Sequence, residues 1–123
     1  MDTQKTPQEL FGLRLAHVGI NAADEVEAAA IAQLFSCLMG LETRETPVSL
    51  FSDTMVEIMK QPGRGERGHI GFHVDDIPAA EKWFAARGFA IDESSRRLLP
   101  SGETQLVYFE QPIGGFAIHL TCD

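Results

Sequence analysis

The alternation of hydrophobic and polar residues predicts strands along most of this chain. Over residues 14–21, the apolar Val18 and Ile20 alternate with His17 and Gly19, which is the period of two typical of a strand with one covered face. Similar short patterns, separated by turn residues, predict further strands at 42–47, 48–52, 55–60, 69–74, 90–93, 104–110 and 116–121.

Apolar residues at helical spacing predict two helices. The first begins at the acidic residues Asp24 and Glu25, which favour a helix start through the helix dipole, and ends at Gly40. The second begins after Asp76, a good N-cap residue with a proline close behind it, and ends near Arg87. Each helix therefore follows one strand and precedes three.

The order of these elements occurs twice. The segment His17-Val-Gly-Ile lies 52 positions before His69-Ile-Gly-Phe, and each is followed by an acidic helix start and a glycine stop. We therefore predict an α+β fold in which two βαβββ modules, at about 13–60 and 68–121, pair into a curved mixed sheet around a cleft. In this prediction residues 13–123 form a single domain and residues 1–12 form a polar N-terminal arm.

Composition excludes several classes of partner. The 123 residues carry 18 acidic against 10 basic side chains, and the resulting formal charge of −8 disfavours nucleic acid. No apolar stretch reaches the roughly 20 residues of a membrane span, and the N-terminus lacks the apolar core of a signal peptide. Cys37 and Cys122 are interpreted as reduced thiols. We expect a soluble, cytoplasmic protein with no nucleic-acid or membrane partner.

All four histidines fall within predicted strands, and the period of two indicates where they point. His17 lies opposite the apolar face that a helix covers, so it faces the cleft. The same argument directs His69, His73 and His119 toward the cleft. Glu57, an acid flanked by apolar residues in its strand, joins them. The pattern therefore places five polar side chains on one concave face.

One carboxylate with two or three neutral imidazoles is a normal ligand set for zinc, iron(II), manganese, nickel or cobalt. For any single histidine, packing in its strand with a hydrogen bond to a neighbour is the simpler explanation. The joint placement of His17, His69, His119 and Glu57 favours a metal, because an inward-facing Glu57 without a counter-charge would be costly. Lys60 would supply that charge only from the other face of its strand.

Four segments of the chain carry a family resemblance: His17-Val-Gly-Ile, Val56-Glu-Ile-Met, Gly68-His-Ile-Gly-Phe-His-Val-Asp-Asp and Gln111-Pro-Ile-Gly-Gly-Phe-Ala-Ile-His-Leu. In order and spacing they resemble the vicinal-oxygen-chelate superfamily, which includes glyoxalases, bleomycin-resistance proteins and extradiol dioxygenases. The resemblance spans about residues 13–121. It implies paired βαβββ modules, a homodimer, and one divalent metal ion (zinc, nickel, manganese or iron) held by His17, Glu57, His69 and His119.

The resemblance also implies a metal-dependent glyoxalase-like enzyme, an isomerase or lyase acting on a small oxygenated carbonyl compound such as a keto acid or sugar acid. Glu57 is the expected catalytic residue, because His119 stands where most catalytic members carry a second carboxylate. The ending around His119 resembles a subgroup linked to keto-deoxy-phosphogluconate and keto-hydroxyglutarate aldolases. Two alternatives stay open: a non-catalytic binding module of the drug-resistance type, and an auxiliary protein of a keto-acid aldolase.

Three further residues are candidates for binding the substrate. His73 follows His69 on the same face of one strand. Arg67 lies, like Arg96, in a predicted loop where it would capture a carboxylate or phosphate. Tyr108 would line the pocket. The alternative interpretations are a partly exposed strand histidine, solvated loop arginines and ordinary core packing.

Overall fold

The computed structural model describes residues 5–123 and contains the predicted repeat of elements. The strands are β1 (Arg14–Asn21), β2 (Thr43–Glu45), β3 (Ser49–Ser52), β4 (Val56–Met59), β5 (Gly68–His73), β6 (Ile91–Leu98), β7 (Thr104–Phe109) and β8 (Phe116–Thr121). The helices are α1 (Pro7–Phe11), α2 (Glu25–Met39) and α3 (Ile77–Ala85). None of the helices in this described range is long and apolar enough to cross a membrane.

The eight strands of residues 5–123 belong to one mixed sheet in the order β2-β3-β4-β1-β5-β8-β7-β6. β1 pairs with β4 in parallel, whereas β2, β3 and β4 pair antiparallel to one another, as do β6, β7 and β8. The order β1-α2-β2-β3-β4 is followed by β5-α3-β6-β7-β8. The predicted α+β class, with two βαβββ modules contributing to one mixed sheet, is therefore confirmed.

The described chain divides into two compact units. The first contains residues 17–70 and 113–117, and the second contains residues 5–16, 71–112 and 118–123. The division cuts through β1, β5 and β8, so it does not follow the module bounds expected from the sequence, which stay predictions.

In the first unit, α2 packs on β3 and β4. Asp24 begins the helix by accepting a hydrogen bond from a backbone N–H of its first turn, and Gly40 ends it in the left-handed conformation at φ 69°. The small side chains of Ala28 and Ala32 are buried and let the helix approach Ile58, which is fully buried. The apolar face of β4 is therefore turned toward α2.

The second unit has its own core, in which α3 packs on β7 and β8 with the end of β5. Its buried members are Phe11, Val74, Ile77, Ala80, Val107 and Leu120. Asp76 caps α3 as predicted, accepting a hydrogen bond from the N–H of Ala79 at 3.0 Å. The helix ends at Ala85, two residues before the predicted end.

The end of the predicted arm belongs to this core rather than lying apart from it. Residues 7–11 form α1, which begins with a capping box made by Thr6 and Glu9. Phe11 is buried, and its ring meets the ring of Trp83 edge-on at 6.4 Å between centroids. Phe11 thus packs α1 against this core, whereas the domain bounds expected from the sequence, with an arm over residues 1–12, stay predictions. Residues 1–4 lie outside the described residues.

β6 extends beyond the predicted strand at 90–93 and includes Arg96, which was expected in a loop. The Arg96 guanidinium donates two hydrogen bonds to Glu81 of α3, at 2.6 and 2.9 Å, and further ones to Glu93 and Thr104. The polar pattern of residues 94–97 carries no strand signal, because this part of β6 is stabilised by the hydrogen bonds of Arg96, whereas Ile91 at the start of the strand packs against the core. The Arg96 side chain therefore holds β6 against α3.

We expect Leu120→Ala to lower the free energy of unfolding by about 2–5 kcal/mol, because Leu120 is 1% exposed and the truncation leaves a cavity in the second unit. The control is Leu98→Ala, at a β6 leucine that is 57% exposed, where we expect a change within about 0.5 kcal/mol. Urea unfolding of metal-free protein measures both. Equal losses in the two variants would contradict this assignment of the core.

Candidate metal centre

The parallel pairing of β1 with β4 decides which side chains meet. Val18 lies beside Val56 and Gly19 beside Glu57. Since Val56 packs toward α2, alternation along the strand turns Glu57 to the opposite face of the sheet. His17, two residues before Gly19, lies on that same face. The predicted orientation of these two side chains is therefore what the register produces.

Three side chains of the first unit bring one ligand atom each to a common point. His17 Nε2 lies 3.1 Å from His69 Nε2, and His69 Nε2 lies 3.0 Å from Glu57 Oε1. His17 Nε2 lies 3.5 Å from the same carboxylate oxygen. The three side chains are 15%, 5% and 16% exposed for His17, His69 and Glu57, so the point is shielded but reachable from solvent.

This triangle fits a metal ion better than mutual hydrogen bonding. Its edges of 3.0, 3.1 and 3.5 Å are close to those of a coordination tetrahedron, which are roughly 3.3–3.4 Å for metal–ligand distances of about 2.0–2.1 Å. Each Nε2 offers either one proton or one lone pair. His69 Nε2 therefore has a single proton to share between His17 and Glu57, whereas lone pairs from all three atoms can serve one cation.

A glycine makes room for the His69 ring. A Cβ atom added to Gly19 would overlap Cε1, Nδ1 and Nε2 of that ring. The imidazole thus lies directly over the β1 backbone at Gly19. Any residue with a side chain at position 19 would exclude it. Gly19, the glycine of the first His-x-Gly segment of the repeat, therefore has a steric reason.

The Glu57 carboxylate is held by hydrogen bonds rather than by a basic residue. Burial raises the pKa of Glu57, but hydrogen bonds from His69 and from Ser49, with the charges available on His69 and His17, outweigh it, so the pKa lies below its ordinary value. The Ser49 hydroxyl donates to Oε2 at 2.7 Å. Lys60 is committed elsewhere, with its Nζ 2.7 Å from Glu45 Oε2.

Aromatic contacts fix the orientation of the His17 ring. Its centroid lies 5.7 Å from that of Phe51 and 5.1 Å from that of His69, and both contacts are edge-on. Phe51 lies across from Glu57 in the β3–β4 pairing, and the Arg44 guanidinium lies over its ring at 5.4 Å. The imidazole is therefore restrained independently of any ligand.

His119 and Tyr108 belong to the second unit, where they face each other across β7 and β8. Their rings are 4.9 Å apart, and His119 is 1% exposed. The Tyr108 backbone N–H donates to the Ser95 hydroxyl at 2.8 Å. His119 lies in a strand as predicted, and its orientation toward a cleft and its ligand role stay predictions.

The other two predicted substrate-binding residues are engaged in local contacts. His73 Nε2 lies 2.7 Å from Asp75 Oδ1, and its Nδ1 lies 2.9 Å from the Asp123 carbonyl oxygen. Arg67 is exposed in the loop before β5, and its backbone N–H donates to the Gly115 carbonyl at 2.9 Å. These contacts do not test a substrate role, which stays a prediction for both.

Ser49 is the residue near this centre that sequence reasoning missed. It is fully buried, and it lies opposite Met59, diagonal to Glu57, in the β3–β4 pairing. A serine in a strand carries no signal alone. Only the register of the hairpin identifies it as a neighbour of the carboxylate.

Comparison with known proteins finds the fold in solved structures. No family model matches the chain, and no curated protein does. A methylmalonyl-CoA epimerase from Mycobacterium tuberculosis is 16% identical, with a TM-score of 0.60 over 87% of this chain and 85% of that one. Methylmalonyl-CoA epimerase from Streptomyces coelicolor, in complex with 2-nitronate-propionyl-CoA, is 18% identical, with a TM-score of 0.60 over 87% and 94%. A hypothetical protein from Bacillus halodurans C-125 is 14% identical, with a TM-score of 0.61 over 89% and 93%.

The chain shares the fold of these proteins. The match covers nearly the whole length of each of these solved structures, so the fold as a whole is common to them. At these identities the likeness is one of fold, and it agrees with the arrangement that the vicinal-oxygen-chelate resemblance implied. The narrower resemblance to an aldolase-linked subgroup receives no support.

We expect Gly19→Ala to lower the free energy of unfolding by about 1–3 kcal/mol, because the new methyl group overlaps the His69 ring. In a His69→Ala background the same change should be neutral or slightly stabilising, since alanine is otherwise preferred to glycine in a strand by roughly 0.5–1 kcal/mol. Urea unfolding of the four proteins in the double-mutant cycle measures the coupling.

Gly63→Ala is the control for that cycle, because a Cβ there would lie 3.7 Å from Asn21 Oδ1, an ordinary van der Waals distance. We expect it to change stability by at most about 0.5 kcal/mol in either background. A Gly19→Ala penalty that persists after the His69 ring is removed would contradict the steric explanation.

Proposed function

We propose that this protein is a metal-dependent isomerase that moves a proton at a carbon beside a carbonyl group. The observation that carries the proposal is the convergence of His17 Nε2, His69 Nε2 and Glu57 Oε1 within 3.0–3.5 Å of one another. We propose His119 as the fourth ligand, as the vicinal-oxygen-chelate resemblance implies for its position on the last strand. The nitrogen and oxygen donors suit zinc, nickel, manganese or iron(II).

Each residue has a distinct part in the proposal. When bound, a divalent ion polarises the substrate carbonyl and so acidifies the adjacent C–H. The histidines bind as neutral imidazoles and leave the positive charge in place. Glu57, whose pKa lies below its ordinary value, is ionised at neutral pH. It would hold the metal through Oε1 and, when it swings free of the metal, accept the proton and return it.

The proposed substrate is a small oxygenated carbonyl compound such as a keto acid or sugar acid. Several proteins of the same fold are named as epimerases of an acyl thioester, methylmalonyl-CoA, which also carries an acidic C–H beside a carbonyl. That shared chemistry favours an isomerase over a lyase. We propose Arg67, His73 and Tyr108 as substrate-binding residues. A homodimer and a cytoplasmic location stay predictions, and nothing favours a keto-acid aldolase as partner.

We expect about one divalent ion per chain in untagged protein, measured by plasma mass spectrometry before any chelator is used. Glu57→Gln should lower the affinity for Zn²⁺ or Co²⁺ in the stripped protein, because it replaces a charged ligand with a neutral amide. Glu42→Gln, at an exposed glutamate, is the control that makes the same chemical change elsewhere. Wild-type protein that contains no metal and binds none would overturn the proposal.

Proton transfer is tested by hydrogen exchange in D₂O. Metal-loaded protein should exchange the hydrogen beside the carbonyl in at least one compound from a panel of keto acids, hydroxy ketones and methylmalonyl-CoA, followed by NMR. Glu57→Gln should slow this exchange by about 10²–10⁴-fold, the usual contribution of a general base. Binding without exchange across the panel would instead favour the non-catalytic binding module.

A further inference from the structure

Two hydroxyl groups continue the hydrogen-bonding chain behind Glu57. Ser49 Oγ lies 2.7 Å from Glu57 Oε2, and Thr46 Oγ1 lies 2.8 Å from Ser49 Oγ. Ser49 is fully buried, so no solvent replaces these contacts. Thr46 is itself fixed, since its Oγ1 accepts the backbone N–H groups of Ser49 at 2.9 Å and Val48 at 3.2 Å.

The number of hydroxyl protons determines the direction of donation along these hydrogen bonds. An ionised carboxylate only accepts, so the single proton of the Ser49 hydroxyl is donated to Glu57 Oε2. Ser49 Oγ must then accept in its contact with Thr46. The Thr46 hydroxyl donates its proton to Ser49 Oγ at 2.8 Å, with the Ser49 carbonyl oxygen as a longer acceptor at 3.3 Å. Such chains strengthen each bond through polarisation. The order Thr46 to Ser49 to Glu57 therefore directs partial positive charge onto one carboxylate oxygen.

The two oxygens of Glu57 thus have separate tasks. Oε2 is held by Ser49, and Oε1 lies 3.0 Å from His69 and 3.5 Å from His17. We propose that Ser49, supported by Thr46, is a positioning residue that anchors Oε2 so that Glu57 presents Oε1 alone to the metal. This inference rests on the proposed metal site and adds to it a residue outside the ligand set.

The same strand provides a matched control. Ser52 is also fully buried, but its partner across the β3–β4 pairing is Val56, so it lies on the face opposite to Ser49. Among the described residues, its hydroxyl has no hydrogen-bond partner. Ser49→Ala and Ser52→Ala are therefore the same chemical change at equal burial on one strand, and only the first alters the environment of Glu57.

The test measures Co²⁺ affinity by competition with a chelator, and the visible absorption spectrum of bound Co²⁺, in stripped protein. Ser49→Ala should weaken binding by about 10–100-fold, the usual cost of losing a partner of a metal ligand, and should change the spectrum because the carboxylate is free to rotate. Thr46→Val should change the Co²⁺ affinity and the spectrum in the same direction as Ser49→Ala, but to a smaller extent. Ser52→Ala should match wild type in both, and urea unfolding of the metal-free variants confirms that each is folded.

The outcomes separate this inference from the proposed function. Failure of wild-type protein to bind Co²⁺ overturns both. Tight binding by wild type, with an unchanged affinity and spectrum in Ser49→Ala and Thr46→Val, overturns the positioning role alone. Equal losses in Ser49→Ala and Ser52→Ala also overturn it, because a general effect of removing a buried hydroxyl from β3 would then explain the result. If Ser49→Ala does not fold, Thr46→Val decides by the same two measurements.

Discussion

The candidate centre depends on one strand pairing, the parallel register in which Gly19 lies beside Glu57. This register puts a carboxylate next to the one position on β1 that has no side chain, and the His69 ring fills that space. A slip of β4 by one residue against β1 would turn Glu57 into the core beneath α2 and away from the His69 ring. The burial of Ile58, which forces its neighbour to the other face, therefore stabilises the fold and builds the site at once.

The electrostatics of the first unit explain how a mostly buried carboxylate is tolerated there. Neither the nearby Lys60 nor Arg44 contacts Glu57, because the lysine pairs with Glu45 and the arginine lies over Phe51. Stabilisation comes instead from a hydroxyl and from imidazole nitrogens, and these lower the pKa of Glu57 in spite of burial. A fixed lysine or arginine would neutralise the carboxylate permanently. Imidazoles can instead give up the protons that they donate to Glu57, and their lone pairs and the carboxylate can then share a cation.

The order of the elements and one face of the candidate site could be predicted from the sequence, because strand alternation and the internal repeat are visible in local patterns. They placed His17, His69 and Glu57 on one face and identified the module order. The length of β6 could not be predicted, since its pattern is polar and Arg96 is stabilised by Glu81, which is distant in sequence. Phe11 was missed because a single apolar residue has no period. Ser49 was missed because its role depends on hairpin register, which alternation along one strand does not determine.

His119 bears on the chemistry through charge. A dication bound by two carboxylates and two imidazoles would have no net charge, whereas the proposed set of Glu57 and three neutral imidazoles would leave one positive charge at the centre. That surplus favours substrates that bind as anions through an oxygen next to a carbonyl, and it strengthens the polarisation on which proton removal depends. It also leaves one carboxylate to move the proton in both directions. In the proposed set, the surplus charge would therefore acidify the substrate C–H and so compensate for the absence of a second carboxylate base.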